Sequence, residues 1–337
     1  MHSFKQKKSQ KGVSLIELMV ASALGVVVIM GVSDGMMSMS RSSRVQIEDN
    51  SLQEKGVVGL DYITAQFRGA IGAPCDRFSA AETTGTLDFE GGDPQLEDLV
   101  KGRGIRLAQT ATVTIAGADK PVLNDGITYL ESGNRRFLGN TRITYDSGSL
   151  VADDNFEQGT KDYVITNCQS MDIFRGTSAG DRTLTFATGS IRHRYEANSS
   201  TMIAPLSRGT ITVANNELRK TNNPPIGNAA GPLMEGVEAM RLLFGVDTDG
   251  DNVVDRQMTA EQVESENPEA IISAEVLLLI RADRPNPSNT KKPYTLQWPK
   301  SIKSDGTWEL EDISFSDQVP RKIVTRSAVF RNKSKLL

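Results

Sequence analysis

The chain has 337 residues, 38% of them hydrophobic and 24% charged, with a formal net charge of −4. That is enough chain for a sizeable core in one large or two small domains, and the acidic balance argues against non-specific binding to nucleic acid, which needs a basic surface. The only cysteines, Cys75 and Cys168, have no near Cys or His in the sequence, which disfavours a metal or redox centre built on them.

The N-terminal region comes first. Lys5, Lys7, Lys8 and Lys11 precede Gly12, with no acidic residue among them. Val13 to Val32 is almost uniformly apolar or small, broken by one carboxylate, Glu17. As a helix this run covers about 30 Å, enough to cross a bilayer core. The lysine-rich flank predicts a cytoplasmic N-terminus, with the rest of the chain sent across the membrane. Three readings compete. A plain anchor leaves Glu17 unexplained, since a charge in hydrocarbon costs about 2.5–3.5 kcal/mol on insertion scales. A secretory signal cut near Ala21-Ser22-Ala23 is contradicted by the apolar run continuing through Val26 to Met30. A cut before the run, after Gly12, makes Val13 the new N-terminus and Glu17 its fifth residue.

Lys11-Gly12, then Glu17 at that fifth position and an unbroken apolar stretch, resembles the class III signal of type IV pilins and type II secretion pseudopilins. The resemblance implies that a prepilin peptidase cuts between Gly12 and Val13 and methylates the Val13 amine. It also implies that Glu17 pairs with the Val13 amine of a neighbouring subunit when helices bundle into a filament. A buried charge is tolerated when a partner compensates it, and one partner in one register is a specificity device. Loss of the four leader lysines takes the net charge from −4 to −8. In an exported domain Cys75 and Cys168 most simply form one disulfide, two buried thiols being the other reading.

From Ser33 to Gly72 there is no proline. Leu60, Ile63, Phe67 and Ile71, with Val57, recur at helical spacing and predict one apolar stripe laid on a core. The other side carries Arg41, Arg44, Glu48, Asp49, Glu54, Lys55 and Asp61. Gly56, Gly59, Gly69 and Gly72 are expected to weaken the helix by up to about 1 kcal/mol each, and Pro74 to end it. One helix from Ser14 to about Gly72 would be about 85–90 Å long.

Beyond Cys75 the sequence reads as strands. β-favouring runs occur at 112–115, 127–130, 142–145, 163–166, 183–186, 210–213, 237–244, 271–281 and 323–330, with Gly, Asn, Asp and Ser between most of them. Residues 88–103 and 222–232 read as loop excursions, the first with a helical turn at 95–100. Strands behind one N-terminal helix imply an α+β, pilin-like fold: a long helix packed on an antiparallel β-rich domain. The predicted divisions are a leader at 1–12, a membrane-spanning or filament-core half-helix at 13–32, an amphipathic half at 33–73 and a β-rich domain at 74–337.

Leu233-Met234-Glu235-Gly236-Val237-Glu238, the run Leu243 to Asp251, and Ala274-Glu275-Val276-Leu277-Leu278-Leu279-Ile280-Arg281 are similar to the PilW family of minor pilins. Asp162 to Cys168, Asp172-Ile173-Phe174 and Val329-Phe330-Arg331-Asn332 fit it too. The resemblance implies a minor pilin that helps to initiate a type IV pilus and sits at or near its tip. Its implied partners are other minor pilins, the major pilin, the prepilin peptidase, the inner-membrane assembly platform and a tip adhesin. Its implied location is the inner membrane as a single-span precursor, then the pilus or cell surface. The alternative is a minor pseudopilin of a type II secretion system.

One stretch carries site chemistry. In Asp247-Thr248-Asp249-Gly250-Asp251-Asn252-Val253-Val254-Asp255, carboxylates recur at alternate positions of a turn. Ca²⁺ takes six to eight oxygens at about 2.3–2.6 Å. Asp247, Asp249 and Asp251 are candidate side-chain ligands, Val253 offers a carbonyl, and Asp255 a carboxylate. The EF-hand pattern is broken at its sixth position, Asn252, and its twelfth, Met258. A carboxylate from Glu261, Glu264 or Glu266 would have to replace the missing bidentate ligand. The competing reading is a solvated acidic turn. Catalytic patterns are absent from the sequence: His193 is the one histidine after the leader, and there is no G-x-S-x-G or phosphate loop. Arg135-Arg136, Arg192-His193-Arg194 and Arg321-Lys322 read as solvated charge, and Trp298 and Trp308 as packing residues. No enzymatic function is expected.

Overall fold

A computed structural model describes residues 14–69, 99, 105–139, 143–144, 146–167, 170–196, 201–223, 231–251, 253–266, 271–285, 294–303 and 308–330. Helix α1 runs from Leu15 to Gly69, 55 residues, or about 83 Å at the usual rise. No proline interrupts it, and Glu17 in its first turn and Arg68 in its last complement the helix dipole. Gly72 and Pro74 lie outside the described residues.

The helix has two characters. From Leu15 to Ile47 nearly every side chain is exposed. From Leu52 onward one stripe is buried: Leu52, Gly56, Gly59, Leu60, Ile63, Thr64 and Phe67. The expected place of Val57 in that stripe is corrected, since Val57 is 54% exposed and points away from the domain. Gly56 and Gly59 occupy the stripe because the sheet comes too close for a side chain. A Cβ on Gly56 would lie 2.7 Å from Val324 Cγ1, and one on Gly59 2.5 Å from Met234 Cε. The glycines that weaken the isolated helix therefore let it seat.

All strand pairing is antiparallel. The first sheet contains β1 (Ile105–Val113), β2 (Val122–Ser132), β3 (Arg136–Phe137), β4 (Ser149–Val151), β5 (Gly159–Thr166), β6 (Met171–Ser178), β7 (Thr183–Phe186), β8 (Met202–Ala214), β9 (Glu217–Asn223) and β10 (Gly231–Glu235). Its main path is β1-β2-β8-β5-β6-β7-β4. The second sheet is built from β11 (Val237–Val246), β12 (Arg256–Thr259), β13 (Ile271–Arg281) and β16 (Arg321–Val329), in the order β12-β11-β13-β16. A short helix α2 (Ala260–Glu266) follows β12, and β14 (Tyr294–Ile302) pairs with β15 (Trp308–Phe315) as a separate hairpin.

The second sheet is covered on both faces. Met240, Leu242, Phe244, Val276 and Leu278 join Leu60, Ile63 and Phe67 of α1 in one core. Ala239, Leu243, Leu277 and Leu279 pack against Trp298, Ile313 and Phe315 of the hairpin. Every residue of β11 is buried, which is why its sequence is apolar almost without alternation. Arg326–Asp61, Lys322–Asp49 and Lys55–Asp283 pair the helix flanks with the domain.

The two sheets meet through side chains. β11 pairs with β13 along its length but with β12 only from Leu243 on. Asn124 and Asp125 of β2 fill the open edge: Met240 N–H donates to Asn124 Oδ1 at 3.0 Å, and Leu242 N–H to Asp125 Oδ2 at 2.8 Å. Buried backbone donors need partners, and here β2 supplies them.

Four local expectations are corrected. Residues 222–223 and 231–232, read as an excursion, belong to paired strands β9 and β10. Of the run at 142–145, Ile143 and Thr144 are described, and Ile143 forms a bridge to Tyr195 rather than part of a strand. Strand β1 ends at Val113, with Ile115 buried beyond it. Arg136 and Arg321, read as solvated, are buried: Arg136 Nε donates to Asn155 O at 2.8 Å, and Arg321 has its guanidinium over the Phe315 ring. Of the turn expected at 95–100, Leu99 alone is described, as helical.

Candidate functional site

The first candidate is the bare half of α1. Leu15, Ile16, Leu18, Val27, Val28 and Ile29 are each more than 60% exposed. This is one helix long and apolar enough to cross a membrane, by length and composition. Such a surface needs lipid or other helices. Glu17, also exposed, is the one charged side chain between Leu15 and Val32. Gly12 and Val13, the expected cleavage and methylation positions, lie outside the described residues. Cys75 and Cys168 do too, as do the side chains of Glu264 and Glu266.

The second candidate is the loop between β11 and β12. Oxygens of Asp247, Asp249 and Asp255 lie within 4.8 Å of one another. The backbone shapes this. Gly250 takes a left-handed φ of 85°, and its N–H donates to Asp247 Oδ1 at 2.6 Å. Thr248 donates to Asp255 Oδ2 through both its N–H and its hydroxyl, and these bonds hold the Asp255 carboxyl below the usual range. Three of the predicted carboxylates are thus brought together. Asp251 is not among them: it accepts the Val253 N–H at 2.7 Å. The hard oxygens and their spacing fit part of a calcium set. Glu261 is exposed on α2.

At the opposite end of β11 from this loop lies a charged network that the sequence reading missed. Arg321 donates to both Asp317 oxygens at 2.7 Å, to Glu238 and to the Ala116 carbonyl. Burial pushes the Glu238 carboxyl up, and the bonds from Arg321 offset part of that. Asp317 is held low, chiefly by Arg321. The available signal was Glu238 at the head of a run that is apolar apart from Arg241. His193 is half-buried, with Nδ1 3.1 Å from Asp172 Oδ1, and Tyr195 donates to the same carboxylate at 2.9 Å. Trp298 is buried and donates to Leu123 O at 2.9 Å. These are packing and bracing contacts, as the sequence led us to expect for the tryptophan.

Comparison with known proteins agrees with the helix and the second sheet. Residues 202–332 match the family described as type IV pilus-assembly protein W, and residues 7–33 match the prokaryotic N-terminal methylation motif. Together these matches take in β8 through β16 and the start of α1. The proteins of those families are structural rather than enzymatic. A type IV-like pilin from Thermus thermophilus is among the similar solved structures, at 13% identity and a TM-score of 0.23, over 53% of this chain and 87% of that one. No curated protein sequence matches.

Proposed function

From a chain that is type IV pilin-like, with a PilW segment behind an N-terminal methylation motif, we propose a minor pilin that helps to initiate pilus assembly and sits at or near the tip. The carrying observation is the helix. Its N-terminal half is apolar, exposed and marked by one carboxylate, while its C-terminal half is locked on the domain by Leu52, Leu60, Ile63 and Phe67. Such a rod can leave lipid for a bundle of like rods without any change in the domain. Glu17 then requires a positive partner, and the freed amine of Val13 on a neighbouring minor or major pilin supplies it. A bulky domain of two sheets and a hairpin suits an end position better than repeated packing along a shaft. We further propose that Asp247, Asp249 and Asp255 hold Ca²⁺ and brace the β11–β12 loop.

The test is genetic and chemical. Glu17→Ala in the full chain is expected to abolish surface piliation and twitching as deletion does, while the protein stays in the membrane. N-terminal sequencing of the mature protein is expected to give methylated Val13. Normal piliation with Glu17→Ala, or a chain still beginning at Met1 in piliated cells, would overturn the reading.

A further inference from the structure

A free sheet edge is a template for a further strand, and proteins suppress it with short strands, bulges, proline or charge. Among the described residues the sheet edges are blunted in these ways, with one exception. Strands β3, β4 and β12 have two, three and four residues. Strands β1, β10 and β14 each carry a register shift, and β14 also contains Pro299. Strand β15 is bridged to Ala118. Strand β16, the edge of the second sheet, has none of these devices. It is nine residues long, contains no proline and pairs with β13 without a register shift. Its cations Lys322 and Arg326 are drawn aside by Asp49 and Asp61 of α1. Phe330 N–H donates to Ile272 O, so by antiparallel alternation the even-numbered residues of β16 bond β13. The N–H and C=O groups of Ile323, Thr325, Ser327 and Val329 therefore face outward, and none has a backbone partner among the described residues. Thr325, Ser327 and Val329 are also exposed.

We propose that β16 accepts a strand from a different protein, an extended segment held through its main chain. A second copy of this chain does not suit the edge. Helix α1 runs alongside β16 in the same direction: Asp49 meets Lys322, Gly56 lies against Val324, Asp61 meets Arg326 and Phe67 packs on Phe330. From residue 49 to 67 the helix advances about 27 Å, and from 322 to 330 the strand advances about 26 Å, so the two are parallel. A closed two-fold dimer through this edge pairs β16 antiparallel with its own copy and turns the second α1 end for end. Two anchors that cross one membrane in one direction exclude that arrangement. The start of the edge adds a side-chain preference. A groove of about 890 Å³ abuts it at residues 320–322, with Val45, Leu52 and Pro320 in its lining. Arg44, Arg284, Glu48 and Asp49 also line it, so it favours neither sign of charge. An apolar side chain on the added strand, beside Arg321, fills that space. The inference goes beyond the proposed function: it rests on anchoring in one membrane, and not on the kind of filament.

The test uses the full-length chain. In detergent micelles, amide exchange at Ile323, Thr325, Ser327 and Val329 is expected to be faster than at Val324, Arg326 and Ala328 by about tenfold. Equal protection of the two sets overturns the open edge. In the cells that make the protein, a benzophenone photo-crosslinker in place of Thr325 is expected to join it to a different polypeptide. Ser327→Pro removes one outward N–H and no bond to β13, and is expected to abolish the adduct. Ser327→Val keeps that N–H and is expected to preserve it. Unchanged exchange at Val276, Leu278 and Ile280 shows that the proline variant is folded. A second measurement needs no proline: in the purified adduct, exchange at Ser327 and Val329 is expected to slow to that of Arg326 and Ala328. Fast exchange persisting there overturns the added strand, as does the absence of an adduct or an adduct that survives Ser327→Pro. An adduct with a second copy of this chain overturns the proposal too. A chain that still begins at Met1 yet gives the proline-sensitive adduct removes the minor-pilin reading and leaves the strand site standing.

Discussion

Asp125 binds Arg241 at 2.7 Å, and both side chains are almost wholly buried, at 0% and 1% exposure. The pair crosses from β2 of the first sheet to β11 of the second. Each end is otherwise satisfied: Asp125 accepts the Leu242 N–H, and Arg241 donates to the carbonyls of Pro299 and Lys300 in the hairpin. One ion pair therefore ties three layers together.

Removing one partner strands the other charge, which typically costs 3–5 kcal/mol. Asp125→Ala is expected to lower domain stability by about that amount. Asp125→Ala with Arg241→Met is expected to lose less than the sum of the two single variants, because no lone charge remains. Chemical denaturation of the four proteins measures the coupling.

Gly56 and Gly59 make opposite demands of the same substitution. Alanine favours an isolated helix by about 1 kcal/mol over glycine. At Gly56 the new methyl meets the branched Val324 side chain at 2.7 Å, which has little room to turn. At Gly59 it meets the flexible end of Met234 at 2.5 Å, with Leu278 Cδ1 at 3.3 Å. Overpacking costs about 1–3 kcal/mol. Gly56→Ala is expected to destabilise the domain by about 1–2 kcal/mol net, and Gly59→Ala to be nearly neutral. Thermal melts of both variants decide it.

These positions also mark how far the sequence could be read. Strands β11 and β13 of the second sheet stood out because both faces are covered, leaving Val237 to Val246 and Ile271 to Arg281 apolar almost throughout, whereas β12 was not read from the sequence. Helix α1 stood out because an unbroken apolar run and a later stripe share one chain. Strands β9 and β10 did not, because Glu217 to Asn223 is mostly polar and Gly231-Pro232 looks like a turn. β9 pairs with β8 and β10 with β9, a tertiary cause that local pattern does not carry. The acidic loop was legible as a composition, but the turning away of Asp251 was not. That depends on which carboxylate the backbone amides of Gly250 and Val253 select.

The Glu238–Arg321–Asp317 network predicts two opposed pH effects. Asp317 has a lowered pKa, so its contribution is present above the ordinary aspartate range and is lost as pH falls below about 4. Glu238 has a raised pKa, so the folded state takes its proton first and is favoured as pH falls towards the ordinary glutamate range near 4.3. Asp317→Asn is expected to flatten the acid limb of melting temperature against pH below about 4. Glu238→Gln is expected to remove the gain above it. Melting curves between pH 2 and 8 separate the two, and an unchanged acid limb in Asp317→Asn would exclude the assignment.

Calcium makes a graded prediction, because the loop sorts its own carboxylates. Asp247, Asp249 and Asp255 are gathered, whereas Asp251 lies outside that group and accepts the Val253 N–H. Three carboxylates held this close repel one another, and a divalent cation relieves that repulsion. Binding to the folded state alone raises stability by about 2.7 kcal/mol at a hundredfold excess over Kd. Millimolar calcium is therefore expected to raise the melting temperature and EDTA to reverse it. Asp249→Asn is expected to abolish the shift. Asp251→Asn is expected to keep most of it, since Asp251 is outside the gathered set and asparagine keeps an oxygen for the Val253 N–H. If Asp251→Asn abolishes the shift as completely as Asp249→Asn, the cation is held by a different arrangement of the loop. If the unaltered protein gives no shift at all, the loop is a solvated acidic turn, braced by its own backbone and Thr248 hydrogen bonds.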